Sequence, residues 1–64
     1  MASQIFTEAA KLECAQRELK MRRRVYPGWV EKGRMTQAQA DRETGLMAAI
    51  VADYEQRAAG ERLI

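Results

Sequence analysis

The sequence predicts an all-α protein: an antiparallel two-helix hairpin, with a short helical turn at its corner, that pairs with a second copy into a four-helix bundle. Two stretches of helix-forming residues, about 8–25 and 37–59, flank a segment that holds the only proline and the only tryptophan. Apolar side chains recur at spacings of three and four in both stretches, which is typical of helices that bury one face. The 64 residues form one domain, 1–64. A chain this short buries only about 60% of the surface that its unfolded form exposes, so a partner chain is expected to stabilise it.

The first helix is predicted over about residues 8–25, which contain no glycine, proline or asparagine. Thr7 is placed to cap its N-terminus, because a threonine hydroxyl accepts a hydrogen bond from the first turn. The proline that follows disfavours helical geometry at the residue before it, so the helix is expected to stop near Val25. Its apolar stripe consists of Leu12, Ala15, Leu19 and Tyr26, widened by Cys14, Met21 and Val25.

The corner is predicted over residues 26–35, with one short helical turn from Pro27 to Lys32. Proline suits a first helical position, and Gly33 suits a left-handed stop. Trp29 is expected to be buried, because it is the only tryptophan of a protein with little core. The expected core of the corner is Tyr26, Pro27, Trp29 and Val30.

The second helix is predicted over about residues 37–59. Thr36 and Gln39 have the spacing of a capping box, and Met35 is placed to pack on the fourth residue of the helix, Ala40. Gly60 is expected to cap the C-terminus. The predicted apolar face consists of Ala40, Met47, Ile50, Val51 and Tyr54.

A glycine within the second helix gives a reason to expect self-association. Glycine in a helix interior costs about 1 kcal/mol relative to alanine, yet Gly45 lies in mid-helix. With Ala49 and Ala52 it forms a ridge of small side chains, which either faces solvent or lets the helix of a second copy approach closely. The candidate residues for dimerisation or helix packing are Gly45, Ala49, Ala52, Met47, Ile50 and Tyr54.

Composition argues against catalysis, metal binding and cofactor binding. The chain has no histidine, so the commonest general base is missing. Its one cysteine, Cys14, has no second soft ligand and is expected to be a small buried hydrophobe. The four glycines form no phosphate-binding loop. No signal peptide or apolar run of about 20 residues is present, so a cytoplasmic protein without a membrane partner is expected.

The charge distribution singles out one basic segment. Residues 11–34 hold eight Lys or Arg and three Glu, whereas the rest of the chain holds three Arg and six acids. Two of these arginines follow a glutamate at a spacing of four, which stabilises a helix, and three cations are expected to complement the dipole in the last turn of the first helix. Five of the remaining six cations have no assigned intrahelical acidic partner and are expected to converge at one end of the hairpin, beside Tyr26 and Trp29: Lys20, Arg23, Arg24, Lys32 and Arg34. Beside the corner aromatics they suit an acidic protein surface or, alternatively, a nucleic acid.

One pattern resembles a group of small proteins of temperate phages and prophages. That pattern reads E-C-x-x-R-E-x-x-M-R, then V-Y-P-x-W-V and G-x-M, and it is matched within residues 12–54. The matching positions are Glu13, Cys14, Arg17, Glu18, Met21, Arg22, Val25, Tyr26, Pro27, Trp29, Val30, Gly33 and Met35. The resemblance implies a phage-type accessory protein in a bacterial cytoplasm. We therefore expect a non-enzymatic regulator or inhibitor that binds a host protein, with a nucleic-acid-binding accessory protein as the alternative.

Overall fold

Two antiparallel helices form the whole described fold. A computed structural model describes residues 5–62, in which α1 runs from Glu8 to Glu31 and α2 from Gln37 to Arg62, with no strand between them. The predicted all-α hairpin is therefore confirmed. Its extents are 46 × 30 × 14 Å, and the smallest of these is close to the ~10–12 Å diameter of a single helix. The hairpin is one layer of helix, open on both sides.

The first helix is longer than predicted. Thr7 caps it as expected, since its hydroxyl accepts a hydrogen bond from the Ala10 N–H at 3.0 Å. The predicted stop near Val25 is wrong, because α1 continues through Pro27 to Glu31. An interior proline removes one helical hydrogen bond and crowds the preceding turn. Tyr26 and Val30, on either side of Pro27, are half-buried, and a hydrogen-bonded turn closes the end of the helix.

The end of α1 is a glycine-dependent hydrogen-bonded turn. Gly33 has φ +75°, the left-handed conformation predicted for it, and Lys32 is the C-cap. The Gly33 N–H donates to the carbonyl of Val30 at 3.1 Å, and the Arg34 N–H donates to that of Trp29 at 2.9 Å. These two bonds define a Schellman motif, which satisfies carbonyls that a helix end leaves without partners. The short turn predicted for the corner is thus the last part of α1.

The second helix starts as predicted and ends later than predicted. The hydroxyl of Thr36 accepts from the Gln39 N–H at 3.1 Å, and the Gln39 side chain accepts from the Thr36 N–H at 2.9 Å, which confirms the capping box. Gly60 does not cap the helix, because α2 continues through it to Arg62. Glu61, in this added turn, contacts the start of α1 and gives the last turn a tertiary anchor.

A narrow core lies along the contact between the helices. The buried residues of the described chain are Ala15, Leu19, Ala40, Val51 and Ala58. All but Ala58 belong to the predicted apolar stripes, and the half-buried side chains packed against the cluster of Ala15, Leu19 and Val51 are Leu12, Met47 and Ala48. Three of the five buried residues are alanines, so the interior consists mainly of close helix contact and contains few large side chains.

Alanine substitution is expected to have opposite effects at two glycines. At Gly33 it should lower the free energy of unfolding by ~1–2 kcal/mol, because a side chain strains the left-handed conformation. At Gly45 it should raise that free energy by up to ~1 kcal/mol, because the position is helical and an added Cβ meets nothing within 4 Å. Urea titrations followed by circular dichroism at low protein concentration measure both. Equal effects of the two substitutions would contradict the assigned backbone conformations.

Candidate functional site

The basic side chains of α1 lie in the middle of the helix. Because α1 ends at Glu31, Lys20, Arg23 and Arg24 are outside its last turn, which contains no basic residue. The interpretation that these three cations complement the helix dipole is therefore wrong. They are instead like-charged neighbours at spacings of three and four from Lys20, an arrangement that destabilises a helix by a few tenths of a kcal/mol. The spacing of these three charges therefore does not stabilise α1. We call Lys20, Arg23 and Arg24 the basic strip.

The predicted intrahelical ion pairs are present. Arg17 lies 3.7 Å from Glu13, and Arg22 lies 3.1 Å from Glu18. Arg22 also crosses to α2, where its Nη1 donates to the backbone carbonyl of Glu43 at 2.8 Å. Within residues 5–62, no carboxylate lies within 4.0 Å of the five cations singled out by the sequence. All five of those side chains are exposed.

The five cations do not converge on one point. Lys20 and Arg23 line a shallow groove between the helices, and Arg23 also borders the adjoining groove together with Asp41. Lys32 and Arg34, which we call the corner cations, lie beyond the end of α1. At 1.5 Å per residue, Lys20 and Lys32 are about 18 Å apart along the helix axis. The expected convergence at one end of the hairpin is therefore wrong, and the cations form an extended basic edge.

The corner aromatics form a pair in which Trp29 is exposed and Tyr26 is half-buried. Trp29 is 39% exposed, and its ring centroid lies 5.6 Å from that of Tyr26 with the planes tilted by 34°. The predicted burial of Trp29 is wrong, and so is that of Pro27, whereas Tyr26 and Val30 are half-buried. Within residues 5–62, α1 and α2 are the only helices, and together they leave the indole partly exposed. Truncating Trp29 should cost less than the ~3–5 kcal/mol typical of a fully buried aromatic.

A third groove lies on one side of the helical layer. Its apolar lining includes Phe6, Cys14, Met47, Ile50 and Tyr54, and we call this surface the groove face. Phe6 is 56% exposed and Ile50 is 40% exposed. Cys14 is exposed as well, so the expectation that it is buried is wrong.

The candidate dimer residues fall into two groups. Met47, Ile50 and Tyr54 line the groove face, whereas Gly45 lines a groove with Arg23 and Ala48 on the other side of the layer. Ala49 lies four residues after Gly45, and Ala52 lies three residues after Ala49, so the three residues share one side of α2. All three ridge residues are exposed. One flat contact with a second copy cannot use both groups.

Sequence reasoning missed the contact that joins the open ends of the hairpin. The carboxylate of Glu61 accepts hydrogen bonds from the backbone N–H groups of Glu8 at 2.9 Å and Ala9 at 3.2 Å. These donors belong to the first turn of α1, where N–H groups lack helical partners and negative charge is favoured. Glu61 follows Glu8 by 53 positions and Ala9 by 52 positions in the sequence. No local sequence signal predicts a pairing over such a separation.

Comparisons with protein-family models, with curated proteins and with solved structures give no match to this chain. The resemblance to small phage proteins therefore stays a prediction. Within the described residues, no group of three or more Cys, Asp or Glu is placed to hold a metal ion. Neither α1 nor α2 is apolar over a sufficient length to cross a membrane.

Proposed function

We propose that the chain is a non-enzymatic accessory protein that binds an acidic surface of a protein partner through the basic strip and the corner cations. The observation that carries the proposal is the placement of these five cations. They are exposed, they have no carboxylate within 4.0 Å among the described residues, and three of them lie in mid-helix. Repulsion within the basic strip is a local cost that an anionic partner would remove.

The exposed Trp29, paired with the half-buried Tyr26, supports a protein as the partner. Tryptophan, tyrosine and arginine are the residues that contribute most to protein interfaces when they become buried. Trp29 and Tyr26 lie at the same end of the hairpin as the corner cations, and the Arg34 N–H is bonded to the Trp29 carbonyl. A partner with a carboxylate beside an apolar recess would meet both the charge and the exposed indole.

Acidic residues along the basic edge favour a protein over a nucleic acid. Glu13 lines the same groove as Lys20 and Arg23, and Asp41 lines the groove beyond Arg23. A phosphate backbone following this edge would meet both carboxylates. A protein surface, which carries charges of both signs, suits such an edge better. By the resemblance to phage proteins, the partner is a host protein in the bacterial cytoplasm, and the chain acts as its regulator or inhibitor.

The test is a capture experiment with matched arginine variants. We expect the full chain to retain a specific protein from nuclease-treated bacterial lysate, and the Arg23→Ala/Arg24→Ala variant to lose most of it. The control is Arg42→Ala/Arg57→Ala, which removes the same charge from α2. Equal loss of the captured protein in both variants would show that binding depends on the net charge of the chain and not on the basic strip. No loss in either variant would contradict the proposed surface.

Nucleic-acid binding by the same residues is the alternative, favoured by the exposure of Trp29 beside cations. Binding to single- and double-stranded DNA and RNA is measured across a salt series, using the emission of the single tryptophan. We expect no binding at low salt. Steeply salt-dependent binding that quenches Trp29 and is lost in Arg23→Ala/Arg24→Ala would replace the protein-binding proposal, because phosphate contacts release counterions.

A further inference from the structure

The two sides of the helical layer differ in chemistry. On the groove face, Phe6 and Ile50 expose large apolar surfaces around a recess between the helices. The opposite side carries small residues of α2 beside Arg23 of the basic strip. Exposed apolar patches of this kind mark surfaces that another element covers.

The fold itself needs such a cover. Stable domains place at least two layers around a core, whereas this hairpin is 14 Å thick and has no described side chain that is fully buried. Helices in water depend on the packing of an apolar face far more than on intrinsic propensity. Because this need belongs to the fold of each single chain, an element that covers the apolar side should stabilise the hairpin itself.

Charge selects the groove face for contact between identical chains. The rim of the groove carries two cations and two acids, namely Lys11, Arg17, Glu13 and Glu18. A two-fold axis brings the same patch of both chains together, so a patch with balanced charges is compatible with itself. The basic strip has no carboxylate within 4.0 Å and would repel its own copy.

We propose that a second copy of the chain packs on the groove face across a two-fold axis and closes a four-helix bundle. The helical layer measures 46 by 30 Å, so one side of it is large enough to supply the ~800 Å² per partner that a standard interface buries. Ile50, Met47 and Tyr54 enter the new core, while the ridge of Gly45, Ala49 and Ala52 faces outward. The basic strip stays accessible, because Arg23 lines the groove on the opposite side of the layer, so this inference does not depend on the proposed function.

Adjacent glutamate substitutions test which side forms the contact. We expect the full chain to have twice the chain mass by sedimentation velocity at micromolar concentration. Ile50→Glu should raise the dissociation constant on the order of a hundredfold, because it buries an unpaired charge. Ala49→Glu introduces the same residue one position away on the exposed ridge and should leave the dimer intact, as should Arg23→Ala/Arg24→Ala. A single-chain mass at all concentrations, or a dimer broken by Ala49→Glu and not by Ile50→Glu, would overturn the proposal.

A second measurement on the unaltered chain covers the case in which Ile50→Glu fails to fold. Cys14 is exposed in the single hairpin and lines the groove face. Its rate of reaction with a bulky maleimide should fall several-fold as the protein concentration rises through the dimerisation range. A rate independent of concentration, in a chain whose mass doubles, would place the interface elsewhere and contradict the proposal.

Discussion

Replacing Leu19 with alanine is expected to lower the free energy of unfolding by ~2–5 kcal/mol, the largest stability effect of any single truncation in the hairpin. Leu19 is only 9% exposed and packs with Ala15 and Val51, and it is the largest side chain among the buried residues. Removing it loses the transfer free energy of its methyl groups and leaves a cavity around which the structure relaxes only partially. Urea titration followed by circular dichroism measures the loss.

The control for this prediction is the same chemical change at an exposed site. Leu46 is 46% exposed, so in the single chain Leu46→Ala should change the free energy of unfolding by less than ~0.5 kcal/mol. Because Leu46 lies one helical turn before Ile50, both variants are compared at protein concentrations below the dimerisation range. Comparable losses at Leu19 and Leu46 would contradict the position of the core. They would indicate that α1 and α2 contact each other through different faces.

Replacing Arg22 with methionine is expected to cost ~1.5–3 kcal/mol, the second largest effect. The Arg22 side chain is 19% exposed. Its guanidinium bonds the Glu18 carboxylate within α1 and donates to the backbone carbonyl of Glu43 on α2. Hydrogen bonds that involve a charged group contribute more than neutral ones. Methionine keeps most of the apolar stem, so the loss reports the polar contacts and little of the packing.

Two further variants separate the contributions to this effect. Arg17→Met makes the same change in a pair whose side chains are 71% and 73% exposed, and should cost less than ~1 kcal/mol. Glu43→Gln removes the carboxylate charge that lies 3.7 Å from Arg22 Nη1 but keeps the backbone carbonyl to which Arg22 donates. This variant should therefore retain most of the free energy of unfolding. If Arg17→Met were as costly as Arg22→Met, the contact between the helices would not be the source of the effect.

Local chemistry in the sequence predicted the helix starts and the corner glycine correctly. The hydroxyl of Thr7 and the reciprocal bonds of Thr36 and Gln39 each act within three residues. Gly33 needs only its own backbone conformation. Such features depend on neighbours in the chain, so a sequence pattern contains all the information that they require.

The errors arise where distant parts of the chain decide the outcome. Pro27 and Gly60 are unfavourable for a helix locally, yet both lie inside helices whose neighbouring side chains make tertiary contacts. Burial is expected for Trp29 because it is the only tryptophan of a protein with little core, but the single helical layer of the described residues leaves it 39% exposed. Because α1 continues to Glu31, the basic strip lies away from the helix end, where its charges do not complement the helix dipole.

The two ends of the hairpin are closed by contacts of very different sequence separation. At the corner, the residues joined by hydrogen bonds are no more than five positions apart in the sequence. At the open end, Glu61 bonds to Glu8 and Ala9, which precede it by 53 and 52 positions. Closing a longer loop costs more chain entropy, so folding should begin at the corner and proceed like a zipper toward the open end. In the folded protein, local opening should follow the reverse order and start at Glu61. The exposed indole and the corner cations therefore lie on the part of the chain that opens least, which keeps their geometry fixed before a partner arrives.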